Sequence, residues 1–346
     1  MNRNILTTIG ILILVGVAIR FLTQAEGTIP PETSIELEKE GAEITLISVY
    51  DNYQVNQNLK TAWGFGCVIK TPEELVLFDT GGISEILLFN MEKMNIAPKS
   101  ISKIVISHIH GDHVGGLEGF LEENSNVTIF IPASFPDSIR DMINSRGAKF
   151  VDVSDPMKIS DFIYSTGELY GPPNEQSLIV NSKMGVIVVT GCAHPGITNI
   201  VEKAKELTKK EVYLVVGGFH HPPISVVEKF RELRVKKVAP SHCTGDLVRE
   251  AFAKEYKEDF IEFGVGKIIK ITQSPKPTPT PTPSPPSLLT LIATAPTTPT
   301  PTTLVTTPVT TTTPALTPRI PVELLTGVFI AVTVLIVLVT FYVRRT

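Results

Sequence analysis

Seven histidines occur in this 346-residue chain, and all of them fall in four short clusters. His108, His110 and His113 follow the apolar run Lys103-Ile-Val-Ile-Ser107. His194 closes the run from Gly185 to Ala193, His220 and His221 follow Val212 to Phe219, and His242 follows Lys237 to Ser241. A lone histidine is commonly a satisfied core or surface residue. Seven at the ends of β-branched runs, with none elsewhere, fit a shared task better. Imidazole nitrogens beside a carboxylate are metal donors, for Zn first and for Mn or Fe as substitutes. In an extended segment, side chains two apart point the same way, so His108 and His110 can grip one metal together. Asp112 and His113 then turn at the head of a following helix toward a second metal, about 3.5–4 Å from the first. Gly111, Gly115 and Gly116 let the backbone bend there.

The elements that must position these residues alternate between strand-like and helix-like stretches over a body spanning residues 33–272. Strands are expected at 44–49, 75–78, 104–106, 127–131, 186–189, 212–216 and 237–239, each rich in β-branched side chains. Helices are expected at 84–94, 197–207, 225–233 and 245–256. An α/β body places its sites at strand-to-helix junctions, which is where the histidines stand.

Composition separates this body from its flanks. The chain is 42% hydrophobic and 19% charged, enough for a sizeable core. A net charge of −4 leaves no basic excess to neutralise phosphates, so nucleic acid is not an expected partner. The apolar run 5–19 is short for a span and suits the core of a signal peptide. Alternatively, Arg20 snorkels and the segment stays as an anchor; residues 1–25 are one or the other. Many of the 27 prolines follow Gln273, alternating with Thr in a stalk expected over 274–319, extended and disordered. Residues 320–343 are expected to form a transmembrane helix: Leu324 to Val343 carries no charge and Arg344-Arg345 follow at once. Arg3, Arg344 and Arg345 favour a cytoplasmic side at both ends, with Arg20 and Arg319 against. The body is therefore expected outside the cytoplasm, tethered to the membrane by its C-terminal helix. Three cysteines, Cys67, Cys192 and Cys243, are too few and scattered for a disulfide framework.

Ser107-His-Ile-His-Gly-Asp-His-Val-Gly-Gly116 resembles the HxHxDH signature of the metallo-β-lactamase superfamily. Leu77-Phe-Asp-Thr-Gly-Gly82 resembles its upstream strand, whose aspartate, here Asp79, braces the metal loop. Tyr50-Asp-Asn52, Thr190-Gly-Cys-Ala-His-Pro-Gly-Ile197, Gly217-Gly-Phe-His220 and Pro240-Ser-His-Cys-Thr-Gly245 are similar to the branch of dihydropterin-ribofuranosylaminobenzene-phosphate-synthase-like proteins. The resemblance covers nearly all the body and none of the stalk or span. It implies an αββα sandwich with the metals on one edge between the sheets. It adds His194 and His242 to the ligands His108, His110, Asp112 and His113. Where better-known members place a bridging aspartate after Thr-Gly, this chain has Cys192. Where they place a third histidine, it offers Glu175. One inner position thus falls to Glu175, Cys192 or water. His220 and His221 are expected to face substrate, support the ligands or serve structure alone.

The expected activity is metal-dependent hydrolysis of a small-molecule ester, phosphoric or carboxylic, by a hydroxide generated at the metals. Asp112 is expected to hold a metal and orient the nucleophile, and His220 to assist the leaving group. Two other readings stand beside it: a pterin-synthase-like transferase, and a non-catalytic metal-binding or sensing module.

Overall fold

The computed structural model describes residues 34–272. The strands are β1 (Ile44–Asp51), β2 (Phe65–Lys70), β3 (Leu75–Phe78), β4 (Ile101–Val105), β5 (Thr128–Pro132), β6 (Lys149–Val153), β7 (Met157–Ser160), β8 (Ile163–Ser165), β9 (Leu178–Ser182), β10 (Gly185–Thr190), β11 (Val212–Gly218), β12 (Lys237–Ser241) and β13 (Ile268–Ile271). The helices are α1 (Ser84–Lys93), α2 (Gly111–Val114), α3 (Leu117–Glu123), α4 (Asp137–Ser145), α5 (Ile197–Thr208), α6 (Val226–Glu232) and α7 (Asp246–Tyr256).

Seven strands form one sheet in the order β13-β1-β2-β3-β4-β5-β6, and six form another in the order β12-β11-β10-β9-β8-β7. Strands β3 to β6 run parallel, as do β10 to β12. Side chains alternate between the two faces of a strand, and this divides the apolar residues into three layers. Ile187 and Val189 of β10 join Leu46, Phe65, Phe78 and Val105 of the first sheet in a core between the sheets. Val186 and Val188 face the other way and pack with Ile200, Val201, Phe230 and Phe252 of α5, α6 and α7. On the far side, Val68, Leu77 and Ile104 pack with Leu87, Phe120 and Ile143 of α1, α3 and α4. The chain is a mixed α/β sandwich of four layers, helices outside and sheets inside.

Every strand and helix expected from the sequence is present with ends within two residues, except that β4 begins three residues before its expected start. The sequence reading did not mark α3, α4, β6 to β9 or β13. Strand β8 is only three residues and β7 only four, too short for a periodic pattern to register. Among the described residues no helix is long and apolar enough to cross a membrane. The expected segments at 1–25, 274–319 and 320–343 lie outside the described residues.

Candidate metal centre

Five strands deliver the site, each at its C-terminal end: β3 leads to Asp79, β4 to Ser107–His113, β10 to Cys192 and His194, β11 to His220, and β12 to His242 and Cys243. Parallel neighbours end on the same edge, so the chain returns to this edge each time. Helix α2 is a single turn that starts after His110 and carries Asp112 and His113. Its approach to the β3 loop is close. A Cβ on Gly116 would lie 2.2 Å from the Thr80 carbonyl oxygen, so only glycine lets the two loops pack.

The histidines are held by acceptors behind them. His113 Nδ1 donates to Asp79 Oδ2 at 2.7 Å, His194 Nδ1 to Glu175 Oε2 at 2.8 Å, and His242 Nδ1 to Asn52 Oδ1 at 2.9 Å. Ser107 Oγ donates to Asp79 Oδ2 at 2.7 Å and so accepts from His108 Nδ1 at 2.9 Å. Each bond fixes the proton on Nδ1 and turns the Nε2 lone pair forward, the arrangement that orients metal-binding imidazoles. Those lone pairs converge. His113 Nε2 lies 3.2 Å from His242 Nε2, and His108 Nε2 lies 3.1 Å from His110 Nδ1. His194 Nε2 is buried with no hydrogen-bond partner. Lone pairs that converge in this way suit a cation.

The donors form two adjoining sets. His108, His110 and His194 bring their ligand atoms within 4.8 Å of one another, and so do Asp112, His113 and His242. The electrostatics fit. Burial, aided by neighbouring histidines, pushes His108 and His113 down to about 3, so both rings are neutral and free to ligate. Burial opposes ionisation of Asp112, but the His242 hydrogen bond and the His113 and His242 charges outweigh it and hold the carboxyl below its usual range. His242 runs the other way: burial opposes its charge, but the bond from Nε2 to Asp112, with nearby Cys243 and Asp51, overcomes it, so Nε2 must give up a proton before it can ligate. Asp79, fully buried, is pushed up to about 7 despite His108 and Ser107. A carboxylate at that depth keeps its charge best beside added positive charge, which metals in the two sets would supply. The residues present fit a pair of divalent ions.

The remaining sequence candidates are placed as follows. Glu175 has both oxygens engaged, by the backbone N–H groups of Cys192, Ala193 and His194 and by the His194 ring. It braces the β10 loop from behind. Cys192 Sγ lies 3.2 Å from His113 Nε2 and 3.2 Å from Cys243 Sγ, and both thiols are free and buried. The hydrogen bond shared with Cys192, with help from His220, draws the Cys243 thiol down against the burial that resists its ionisation. His220 is exposed, with its ring 4.2 Å from that of His194. The hydrogen bond to Cys243 raises its pKa against burial. His221 is exposed and its N–H donates to the Cys243 carbonyl. Cys67 is buried in β2. Trp63 stands 56% exposed on the rim, with its ring 4.9 Å from that of His242.

Asp79, Ala193, His220, His221 and His242 all adopt positive φ, between 45° and 66°. Each such residue costs on the order of 1 kcal/mol or more, a strain that clusters at functional sites. The sequence reading missed the supporting roles of Asn52 and Ser107. Both stand inside motifs it quoted, yet nothing in their local pattern shows that they accept from His242 and His108.

The sequence pattern of the metallo-beta-lactamase superfamily matches residues 67–290. The chain belongs to this superfamily. It is 32% identical over 246 residues to the 7,8-dihydropterin-6-methyl-4-(beta-D-ribofuranosyl)-aminobenzene-5'-phosphate synthase of Methanocaldococcus jannaschii, covering 56% of this chain and 84% of that one. Among solved structures, Tm1679, a metal-dependent hydrolase of the beta-lactamase superfamily, matches with a TM-score of 0.56 at 24% identity, over 66% of this chain and all of that one. YhfI from Bacillus subtilis matches with a TM-score of 0.51 at 12% identity, over 66% of this chain and 99% of that one. These two likenesses concern the fold.

Proposed function

We propose that this superfamily member is a metal-dependent hydrolase of a small-molecule ester, phosphoric or carboxylic, with two divalent ions, zinc first. The observation that carries this reading is the pair of adjoining donor sets, one ending in the buried and unpartnered Nε2 of His194. His108, His110 and His194 would hold one ion and Asp112, His113 and His242 the other. When bound, such ions supply Lewis acidity and lower the pKa of water toward neutrality. Asp112 stays ionised beside His113 and His242, so it can orient the attacking water and accept its proton. His220, exposed at the mouth with a raised pKa, can hand a proton to the departing group.

Asp112→Asn is expected to keep the fold and some metal while losing activity on a phosphoester and thioester panel by a factor on the order of 10² or more. Full turnover with full metal content would defeat the mechanism. His220→Ala should leave both donor sets intact and slow substrates with poor leaving groups more than those with good ones. Equal losses would remove His220 from the acid role.

A second reading, transfer chemistry, is favoured by the similarity to the synthase, of which this chain matches 84%. Product analysis with two co-substrates separates the two. Condensation product without net hydrolysis would displace the hydrolase reading. The same proposal places the body outside the cytoplasm, on the stalk at 274–319 and the span at 320–343. Its support is the charge-free run Leu324 to Val343 followed by two arginines.

A further inference from the structure

Beside the Asp112–His113–His242 set lies a third group of donors, of which the hydrolytic reading uses only His220. Cys192 and Cys243 are each 4% exposed, and their sulfurs lie 3.2 Å apart. His220 completes the group: one ligand atom from each residue falls within 4.8 Å of the other two. A tetrahedral ion sits about 2.3 Å from sulfur and about 2.0 Å from imidazole nitrogen, which puts its ligand atoms roughly 3–4 Å apart. The trio is already near that spacing. Two thiols and one imidazole are soft donors, unlike the nitrogen and oxygen donors beside them.

The backbone is shaped around this group. Gly218 passes so close that a Cβ there would lie 2.7 Å from Cys243 Sγ and 2.4 Å from the Gly191 carbonyl oxygen. His220 itself has φ of 52°, Ala193 beside Cys192 has 66°, and His242 beside Cys243 has 46°. Mere packing of two small apolar thiols would not require a strained, exposed histidine facing them. Of the three residues only His220 is exposed, and it gives an ion a route in.

We propose that Cys192, Cys243 and His220 form a further site for a thiophilic cation, adjoining the two main donor sets through Cys192, which also lies within reach of His108 and His113. Filling it engages the His220 ring nitrogen, so an occupied site withdraws His220 from proton transfer to a leaving group. Site and acid role exclude one another in time. The site itself does not depend on the hydrolase reading.

The test is titration of the reduced full-length protein with cobalt(II) alone, read by the near-ultraviolet charge-transfer band that only thiolate ligation gives. The wild type should develop the band. His110→Ala, which disrupts the three-histidine set, should keep it. Cys243→Ser should lose at least half of its intensity and one equivalent of metal. His220→Ala should weaken the cobalt binding that gives the band by about tenfold or more. No band in the wild type overturns the proposal, and so does a band untouched by Cys243→Ser, which would leave Cys192 ligating alone. Should Cys243→Ser fail to fold, alkylation of the wild type decides. Zinc is expected to protect Cys192 and Cys243, with strand-buried Cys67 as the unreactive reference. Equal labelling with and without zinc, or loss of both thiols to a disulfide in the metal-loaded protein, overturns it.

Discussion

At the scale of single residues, the carboxylate behind the ligands matters as much as the ligands in front. Glu175 is fully buried and accepts three backbone N–H groups besides the His194 ring. Burial opposes its charge, but these bonds, the His194 bond first, hold it below the usual carboxylate range. Glu175→Gln keeps the size of the side chain and replaces an acceptor oxygen with a donor facing N–H groups. Zinc affinity should fall by about 10–100-fold, as for other residues that orient metal ligands. Competition with a chromophoric chelator measures it. An unchanged constant would mean that the loop holds His194 in place without its carboxylate.

At the scale of elements, two strand junctions interlock through a glycine. A Cβ on Gly191, at the end of β10, would lie 2.1 Å from Ser107 Oγ and 2.8 Å from Asp79 Oδ2. Gly191→Ala must therefore displace the serine that holds the His108 ring. It should lower stability by about 1–3 kcal/mol, the usual cost of overpacking, and reduce bound metal at the three-histidine set. Chemical denaturation and metal analysis of the same sample check both, and a variant unchanged in both would show that the loops can part freely. Away from the site, Glu74 joins β3 to β4 through Lys103 and through Ser102 Oγ at 2.6 Å. Burial resists its ionisation, yet Lys103 and Ser102 prevail and its pKa is lowered from 4.5. A lowered folded-state pKa stabilises above the unfolded value and loses that contribution as pH falls through the folded one. Glu74→Gln should thus cost about 1 kcal/mol at neutral pH. Its deficit against the wild type should shrink as pH drops below 4.5. A deficit independent of pH would point to lost packing instead of lost charge.

At the scale of the whole molecule, the four-layer sandwich gathers five strand ends on one edge, and the proposal hangs this body from the membrane by a Pro/Thr stalk. Protease added to intact cells should then release the body by cutting the stalk, leaving the Arg344-Arg345 end protected. A stalk of the proposed kind would offer the protease backbone that a packed sandwich does not. A body that survives in intact cells but is cut after lysis would place it on the cytoplasmic side.

The sequence by itself determined the superfamily, the principal strands and helices, and the first cluster of candidate metal donors. Those features are local: His108, His110, Asp112 and His113 stand within six residues, and runs of β-branched residues mark β4 and β10 without reference to partners. Tertiary structure decided what depends on distant segments meeting. Glu175 read as a possible ligand until its oxygens were seen to be consumed by the loop of Cys192, Ala193 and His194. Asn52 lies 190 residues from the His242 ring it orients. Cys192 and Cys243 are 51 residues apart, yet their sulfurs touch. They meet because β10, β11 and β12 run parallel and end on one edge, with glycines at 191 and 218 leaving no side chain between them. No spacing along the chain encodes that distance, since it is set by the register of three strands and the close approach of their loops.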